Sequence, residues 1–594
     1  MAGDRFNNLV ALFFDRAAEK GDKPFLWTKQ GETYQPRSWA QVAADVARLA
    51  AALKTRGVEP GDRIALVSEN RPEWLIADLA IMAAGAITVP TYTTNTRRDH
   101  LHILENSGAK GAILSTRRLA TAFLPAAHQS DPLGFVIAME DPKIAQSINA
   151  EIHLWDDAIG AEKAEVTALH ESAKGVVRDQ TACIIYTSGT GGAPKGVLIH
   201  HGAILHNCES AKLVLDEISR GQDAFLSFLP LSHAYEHTAG QFLPIFLGAE
   251  IYYAESIEKL AANMQEAKPT VMVVVPRLFE LLRNRLIKAM EKESATKQKL
   301  FARALELGRK RYEASESLTF KETIEDAILE RTVRRKVRKR FGGRLKALVS
   351  GGAPLSPEVG LFFTAIGLPL LQGYGQTESG PVVSVNRPSA PKMHTVGPPL
   401  ADVEVKIAKD GEILLKGELV MQGYWRDEDA TAEALKEGWL HTGDVGHLDQ
   451  DGHLIITDRK KDLIVNDKGD NVSPQRIEGM LTLEPEIAQV MVFGDRKPYL
   501  VGLVVPDAEW LLEWCKAHKK PVRLAEIVDD EDLKRALGDA VSRVNGLLNN
   551  LERVRRFAIA NEPFTIENEQ MTPTMKIRRH VISKVYESQL EAMY

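Results

Sequence analysis

A glycine-rich segment with hydroxyl groups and one lysine is the strongest chemical signal in the sequence. Residues 186–197 read Tyr-Thr-Ser-Gly-Thr-Gly-Gly-Ala-Pro-Lys-Gly-Val and follow an apolar run at 182–185. Glycines let backbone N–H groups approach phosphate oxygens, hydroxyls donate further hydrogen bonds, and a lysine adds positive charge. The segment is neither a Walker loop nor a dinucleotide fingerprint, because Gly196 follows Lys195 and Pro194 replaces the third glycine. We predict a phosphate-binding loop after a buried strand.

This segment resembles the phosphate loop of the adenylate-forming (AMP-binding) superfamily, which contains acyl-CoA synthetases, peptide-synthetase adenylation domains and luciferases. The family's loop commonly reads Tyr-Thr-Ser-Gly-Thr-Thr-Gly-x-Pro-Lys-Gly, so Gly191 stands here in place of a threonine and one hydroxyl donor is missing. The resemblance implies ATP as the bound nucleotide. The loop residues implied to bind it are Thr187, Ser188, Gly189, Thr190, Gly191, Gly192 and Lys195.

Further motifs similar to those of this superfamily follow in the family's order. They are residues 228–232, 350–354, 373–378, 438–444, 458–462 and 571–576. The resemblance implies that Tyr374 lies against the purine, that Thr377 contacts the α-phosphate, and that Asp444 accepts from both ribose hydroxyls. A carboxylate with two acceptor oxygens suits such a diol. The other implied nucleotide contacts are Gly351, Gly352, Ala353, Gly373, Gly375, Arg459 and Lys576.

The same resemblance implies three catalytic residues. Lys576 reaches the carboxylate and the α-phosphate during adenylation, since a flexible ammonium suits neutralising charge as a carboxylate attacks phosphorus. Glu378 offers Mg²⁺ a hard carboxylate oxygen, and Thr187 is a second candidate metal ligand. Lys195 is the third residue and holds the β- and γ-phosphates. Met575 departs from the glycine that many relatives have before the final lysine.

The implied reaction has two halves and resembles most that of the bacterial long-chain fatty acyl-CoA synthetases. ATP first activates a fatty acid to acyl-AMP with release of pyrophosphate, and the thiol of coenzyme A then displaces AMP. Between the halves the small domain would rotate about Lys461 and bring Lys468 and Gly469 beside a pantetheine tunnel. A fatty acyl-AMP ligase that serves a carrier protein, and a non-catalytic acyl-binding protein, stay open as alternatives. Acyl length and oligomeric state are not predicted.

A histidine motif allows a different chemistry. His233-Ala-Tyr-Glu-His fits the H-x-x-E-H pattern of zinc peptidases, so a zinc hydrolase through His233, Glu236 and His237 is a further alternative. The preceding residues 228–232 resemble the superfamily's fourth motif, which flanks the acyl site. We therefore expect His233, Tyr235 and His237 near the acyl and coenzyme A site.

Strand–helix alternation around these motifs predicts an α/β fold. Predicted buried strands are 63–67, 86–90, 182–186, 224–229, 271–275 and 345–349, and a helix is predicted over 73–84. Ser38 and Gln41 resemble a capping box before a helix that ends near Gly57. Residues 412–416 and 453–457 suggest antiparallel strands.

The domain organisation follows from changes in this pattern. We expect a large N-terminal domain, 1–458, of stacked mixed and parallel sheets with helices and a small β-subdomain. A hinge at 459–462 precedes a small mobile α+β domain, 463–594. Charged residues with helical periodicity indicate a helical excursion over about 277–342.

Composition narrows the class of protein. The 594 residues carry 74 Lys+Arg and 80 Asp+Glu, and a net charge of −6 gives no case for a nucleic-acid partner. Three separated cysteines support neither a disulfide framework nor a zinc site and fit a reducing cytoplasm. No signal peptide or bilayer span is predicted. Residues 331–346 hold nine basic residues and no acid. This segment is either a solvated helix face or a surface that binds an anionic membrane or phosphate. Peripheral contact with the inner membrane face stays open.

Overall fold

A computed structural model describes residues 6–131, 133–143, 149–187, 193–218, 221–313, 318–468, 470–572 and 576–594. Its strands up to residue 459 build three sheets. They are β1 (Pro24–Gln30), β2 (Thr33–Ser38), β3 (Arg63–Val67), β4 (Ile87–Pro90), β5 (Gly111–Leu114), β6 (Phe135–Ala138), β7 (Glu151–Leu154), β8 (Thr181–Thr187), β9 (Lys195–His200), β10 (Ala224–Ser227), β11 (Glu250–Tyr253), β12 (Val271–Val274), β13 (Ala347–Ser350), β14 (Leu370–Gly375), β15 (Val382–Val385), β16 (Glu404–Ile407), β17 (Glu412–Lys416), β18 (Gly423–Tyr424), β19 (Leu435–Lys436), β20 (Trp439–Leu448) and β21 (Leu454–Arg459).

Helices cover the faces of these sheets. They are α1 (Leu9–Lys20), α2 (Trp39–Thr55), α3 (Pro72–Ala83), α4 (Arg97–Ser107), α5 (Arg117–Ala127), α6 (Trp155–Gly160), α7 (Val166–Ala173), α8 (His201–Leu215), α9 (Leu243–Leu247), α10 (Leu260–Ala267), α11 (Pro276–Glu291), α12 (Ala295–Glu313), α13 (Phe320–Leu329), α14 (Arg335–Arg340), α15 (Pro357–Ala365) and α16 (Glu428–Ala434). Two π-helical segments, Glu236–Phe242 and Glu330–Arg334, precede α9 and α14.

Two eight-stranded sheets form the centre of the large part. One runs in the order β7-β6-β5-β3-β4-β8-β9-β18, and the other runs β2-β1-β11-β10-β12-β13-β14-β15. Pairing is parallel from β3 through β7 and from β11 through β14, whereas β9, β15, β18 and β2 pair antiparallel. Parallel strands buried on both faces explain the continuous apolar runs in the sequence.

A smaller sheet and a separate carboxyl-terminal unit complete the fold. The small sheet has the order β16-β17-β20-β19, with β21 paired to β20. After it come β22 (Ile464–Val465), β23 (Asn471–Val472), α17 (Pro474–Leu481), β24 (Ile487–Phe493), β25 (Leu500–Pro506), α18 (Ala508–His518), α19 (Glu531–Asn545), β26 (Val554–Ile559), α20 (Arg579–Val585) and α21 (Glu587–Glu591). The fold class is therefore α/β with stacked sheets, a small β-subdomain and a small α+β unit, as expected.

Local signals in the sequence correspond to local structure. Ser38 caps α2 and Gln41 completes the capping box, as predicted. The excursion after residue 276 is helical, and its described residues contain no strand before β13. The reading of residues 331–346 as a solvated face is wrong for Arg334, which is 0% exposed. Its guanidinium donates to the carbonyls of Ala365 and Ala304, because the helix packs its Arg334 side against α12 and α15.

Two further observations concern the whole chain. No described helix combines the length and the apolar content needed to cross a membrane. Cys183, Cys208 and Cys515 are all buried and unpaired with one another.

Candidate active site

A cavity of about 800 Å³ lies where the large part meets the carboxyl-terminal unit. Its walls come from the carboxyl ends of β12, β13 and β14, from β8 and β9, and from the segment around residue 576. Ligands of open α/β sheets bind at such strand ends. The predicted site residues that line it are Thr187, Lys195, His233, Tyr235, Gly351, Gly352, Gly373, Tyr374, Gly375, Thr377, Glu378, Asp444, Arg459, Lys461 and Lys576.

The remaining predicted residues lie elsewhere or outside the described chain. Ala353, His237 and Lys468 do not line the cavity. The residues outside the described ranges are Ser188, Gly189, Thr190, Gly191, Gly192 and Gly469. The flanking residues Thr187 and Lys195 pair across β8 and β9, so the phosphate-loop segment connects two hydrogen-bonded strands.

One end of the cavity holds a buried carboxylate with two partners. Tyr374 donates its hydroxyl to Asp444 Oδ2 at 2.6 Å, and Arg459 Nε lies 3.3 Å from Asp444 Oδ1. Asp444 and Arg459 are directly opposite in β20 and β21, which fixes their approach. Burial raises the pKa of Asp444, while Arg459 and the Tyr374 hydroxyl oppose that shift. The bond from Tyr374 to Asp444 links residues 70 positions apart and was not foreseen.

A second carboxylate, Glu378, lines the cavity and has Tyr424 as its partner. Tyr424 donates its hydroxyl to Glu378 Oε1 at 2.9 Å, and Lys195 Nζ lies 5.1 Å from the centroid of the Tyr424 ring. Burial raises the pKa of Tyr424, with Glu378 acting in the same direction, so its hydroxyl stays a donor at neutral pH. Sequence reasoning gave Tyr424 no role, although it lies in a Gly-Tyr-Trp segment that resembles the family. A carboxylate that faces the cavity offers the hard oxygen ligand that Mg²⁺ bound to a polyphosphate would take.

Lys576 approaches these groups from the carboxyl-terminal unit. Its backbone exchanges hydrogen bonds with Thr572, and an antiparallel bridge pairs Met571 with Ile577. Its side chain lines the cavity and is exposed within it. Desolvation by the protein atoms around the cavity lowers the pKa of Lys576 to about 8; Arg459 adds to the shift, and Asp444 and Glu378 oppose it.

The other branch of the cavity is apolar. Its walls are mainly aliphatic, with one phenylalanine: Ala211, Val214, Leu215, Phe225, Ala239, Leu243, Val271, Val273, Val349, Leu371, Val382, Val385 and Leu400. Tyr235 donates its hydroxyl to the carbonyl of Val349 at 2.9 Å. Its ring lies against Gly351, where any Cβ would approach within 2.9 Å, so this close contact requires glycine.

His233 faces the cavity as a neutral imidazole. Its Nδ1 accepts from the backbone N–H of Tyr235 at 3.1 Å. Burial lowers the pKa of His233 to about 4, and the nearby Lys576 lowers it further. It can therefore accept a hydrogen bond or form an apolar wall without adding charge.

The histidine motif does not assemble a metal site. Glu236 Oε1 accepts from Ser227 at 2.6 Å, and His237 Nε2 contacts Asp78 at 2.8 Å on another side of the π-helical segment. Both side chains are buried away from the cavity. No group of three potential metal ligands was found among the described residues. The described geometry therefore does not support a zinc hydrolase through His233, Glu236 and His237. His237 is instead a core residue that packs under α3.

Solved structures define the class of protein to which this fold belongs. The adenylation domain of a carboxylate reductase from Mycobacterium chelonae matches with a TM-score of 0.75 at 22% identity, covering 99% of this chain and 91% of that one. O-succinylbenzoate coenzyme A synthetase from Bacillus subtilis, solved with ATP and magnesium ion, matches with a TM-score of 0.67 at 21% identity and covers 96% and 98%. The fold is that of adenylate-forming enzymes.

Sequence comparison gives the family. The AMP-binding enzyme model matches residues 13–425, and the model of the AMP-binding enzyme C-terminal domain matches 461–594. The long-chain-fatty-acid–CoA ligase FadD15 of Mycobacterium tuberculosis is 32% identical, covering 99% of this chain and 97% of that protein. Long chain acyl-CoA synthetase 3 of Arabidopsis thaliana is 29% identical and covers 94% and 87%. The chain belongs to the AMP-binding enzyme family.

Proposed function

We propose that this protein is an AMP-forming acyl-CoA synthetase for long-chain fatty acids. ATP, Mg²⁺ and coenzyme A are the reagents, and acyl-CoA, AMP and pyrophosphate are the products. The observation that carries the proposal is one cavity with two unlike ends. The polar end holds Lys195, Glu378, Asp444 and Lys576, and the other end is an apolar channel.

The polar end suits a nucleotide triphosphate. Asp444 has two acceptor oxygens for the ribose hydroxyls, and a bound ribose would compete with Tyr374 for one of them. Gly351 and Gly352, with Ala353 behind them, would border the adenine. Thr377 would contact the α-phosphate; Thr187, Lys195 and the glycine-rich loop would hold the β- and γ-phosphates. Mg²⁺ held by Glu378, with Thr187 as second ligand, would supply charge neutralisation to the triphosphate.

The first half-reaction makes the acyl adenylate. A carboxylate oxygen of the fatty acid attacks the α-phosphorus while the bond to the leaving pyrophosphate breaks. The negatively charged carboxylate approaches the negatively charged triphosphate in this step, so a cation near the reacting atoms lowers the activation barrier. Lys576 supplies that cation, and enclosure of the cavity by the two domains strengthens its effect.

The second half-reaction makes the thioester. The sulfur of coenzyme A attacks the acyl carbonyl, its proton leaves to solvent, and AMP departs with the bonding electron pair. The proposal divides the chain into a large domain, 1–458, a hinge at 459–462 and a small domain, 463–594. Rotation about Lys461 would withdraw Lys576 and bring Lys468 and Gly469 to the acyl adenylate. No side-chain nucleophile is needed.

The apolar branch supports a fatty substrate over a small aromatic or polar acid. Each methylene group of the substrate that moves from water into a continuous aliphatic lining contributes about 0.8 kcal/mol to the free energy of binding. His233 and Tyr235 line the same cavity as neutral groups, so neither adds charge to the aliphatic lining. The names of the relatives, long-chain-fatty-acid–CoA ligases, support the same substrate class.

The reaction can be tested with purified protein. Incubation with ATP, Mg²⁺ and acids of short, medium and long chain should release pyrophosphate, most strongly with long chains. Addition of coenzyme A should then release AMP and form acyl-CoA. ADP in place of AMP would contradict the proposal. Acyl transfer to a carrier protein without use of coenzyme A would favour the acyl-AMP ligase. The absence of any turnover would favour a non-catalytic acyl-binding protein. We also propose that the protein contacts the inner face of the membrane peripherally.

A further inference from the structure

An outward helix face near residue 320 carries exposed apolar side chains. Phe320, Ile324 and Ile328 are spaced by four residues along α13, so they form one stripe. They are 83%, 50% and 56% exposed. Large apolar residues scattered singly over a surface need no explanation, but a continuous stripe on one helix does.

The same face continues as a row of cations. The exposed basic residues between 320 and 340 are Lys321, Arg331, Arg335, Lys336, Lys339 and Arg340. The opposite side holds buried Asp326, Leu329, Arg334 and Val337, which fixes the outward direction. We call the exposed set, Phe320 through Arg340, the outward face.

The acidic residues of these helices are held in ion pairs with neighbouring cations. Glu322 pairs with Lys310 at 3.1 Å, Glu325 with Arg303 at 2.8 Å, Asp326 with Arg334 at 2.7 Å and Glu330 with Arg338 at 2.5 Å. None of the exposed residues from 320 to 340 is acidic. The protein has a net charge of −6, so this local separation of charge is not a consequence of its composition.

We propose that the outward face docks on the surface of an anionic lipid bilayer. Apolar side chains beside a basic row are the combination that binds interfaces, since the former enter the headgroup region and the latter attract anionic lipids. A second copy of this chain fits poorly, because the face would bring its own cations against equal charges. A nucleic acid would satisfy the cations but leave the apolar stripe in water. The docking assigns a surface to the peripheral membrane contact of the proposed function and does not depend on the proposed reaction; its purpose, access to membrane-dissolved fatty acid, rests on that function.

Vesicle sedimentation of the full chain tests this surface. We expect binding to vesicles that contain phosphatidylglycerol, weak binding to phosphatidylcholine alone, and loss of binding as salt rises. The basic triple variant R331Q/R335Q/K339Q should weaken binding to anionic vesicles about 10–100-fold. The apolar triple variant F320Q/I324Q/I328Q should weaken it about tenfold or more, and also at high salt.

Matched variants in the carboxyl-terminal unit serve as controls. R496Q/R523Q/R535Q removes three exposed cations, and L547Q/L551Q/V585Q removes three exposed apolar side chains; both should bind like the wild type. Unchanged Tm and unchanged AMP formation with dispersed fatty acid show that every variant folds. No wild-type binding to anionic vesicles, or equal loss in the controls, would overturn the proposal. So would a dimer that the apolar triple dissociates, or tighter binding to DNA than to vesicles. Failure of AMP formation in the wild type would refute the proposed function alone.

Discussion

Lys576 is a cation whose protonation depends on its surroundings. Desolvation by the protein around the cavity lowers its pKa to about 8. Because the protonated form is the one that offsets charge, kcat/KM for ATP should be level below about pH 8 and fall above it. Lys576→Arg keeps its charge at higher pH, so its rate should be lower but its alkaline limb should move upward. Pyrophosphate release measured against pH checks this.

Separate assay of the two halves completes the test of Lys576. Lys576→Ala should slow adenylation about 10²–10³-fold and largely spare thioester formation from synthetic acyl-AMP. Equal losses in both halves, or an alkaline limb that ignores Lys576→Arg, would remove the residue from the proposed role.

Glu378 and its tyrosine partner should control the use of Mg²⁺. Removing a metal ligand by Glu378→Ala should raise the Mg²⁺ concentration for half-maximal adenylation more than about 100-fold. Tyr424→Phe removes only the hydrogen bond that orients Glu378 and should raise it about tenfold. Tyr252 donates in a similar way to Glu250 outside the cavity, so Tyr252→Phe is a matched control and should change nothing. Unaltered Mg²⁺ dependence in Glu378→Ala would refute the assignment.

At the scale of elements, the π-helical segment Glu236–Phe242 buries a carboxyl group under the cavity wall. Burial raises the pKa of Glu236 to about 8, and its only described partner is the Ser227 hydroxyl. The unfolded chain releases this proton near its ordinary pKa of 4.5. The folded state therefore binds more protons between about pH 4.5 and about pH 8, and its stability falls as pH rises through that window.

Glu236→Gln should remove that dependence while keeping the bond to Ser227. The difference in Tm between the variant and the wild type should grow in the variant's favour from about pH 5 to about pH 8. This change should correspond to no more than about 4 kcal/mol in the free energy of unfolding. Exposed Glu32→Gln is the control and should follow the wild type at both pH values. Parallel Tm curves for Glu236→Gln and the wild type would contradict this account.

The helix that contains residues 335–340 has one structural cation among solvated ones. Arg334 is fully buried, donates to two backbone carbonyls and pairs with Asp326. Arg334→Gln should destabilise the protein by about 3–5 kcal/mol, because Asp326 would lose its buried partner. The adjacent Arg335 is exposed, and Arg335→Gln should stay within about 0.5 kcal/mol. Comparable losses of Tm in the two variants would show that burial is not the cause.

Local patterns in the sequence predict local structure well. The capping box of Ser38 and Gln41 and the strand at Arg63–Val67 depend on neighbours in sequence, and both occur as expected. The glycine-containing motifs that follow β13 and β14 meet at one cavity because these two parallel strands end at the same edge of one sheet. Distant partners were beyond prediction: Tyr374 meets Asp444, and His237 meets Asp78, across 70 and 159 positions. Periodicity and spacing contain no information about such contacts.

For the whole molecule, we propose that the relation between the two parts decides which half-reaction proceeds. Lys461 lines the cavity, and an ion pair from Lys288 to Glu509 joins the parts at 3.1 Å. Lys461→Pro would fix φ at this position, so thioester formation should fall about tenfold or more while adenylation changes little. Lys461→Ala leaves φ free and should keep both rates. Half-reaction kinetics distinguish them, and a similar loss in both variants would exclude rotation at this residue.

The burial of Cys183 and Cys208 affects whether these thiols can react with coenzyme A or its disulfide. Exchange with a disulfide requires an accessible thiolate, whereas burial raises the pKa of both thiols and excludes solvent from them. Oxidised coenzyme A should therefore find no mixed-disulfide partner at either position. The protein can therefore use a reactive thiol in every turnover while these two thiols of its own stay out of disulfide exchange.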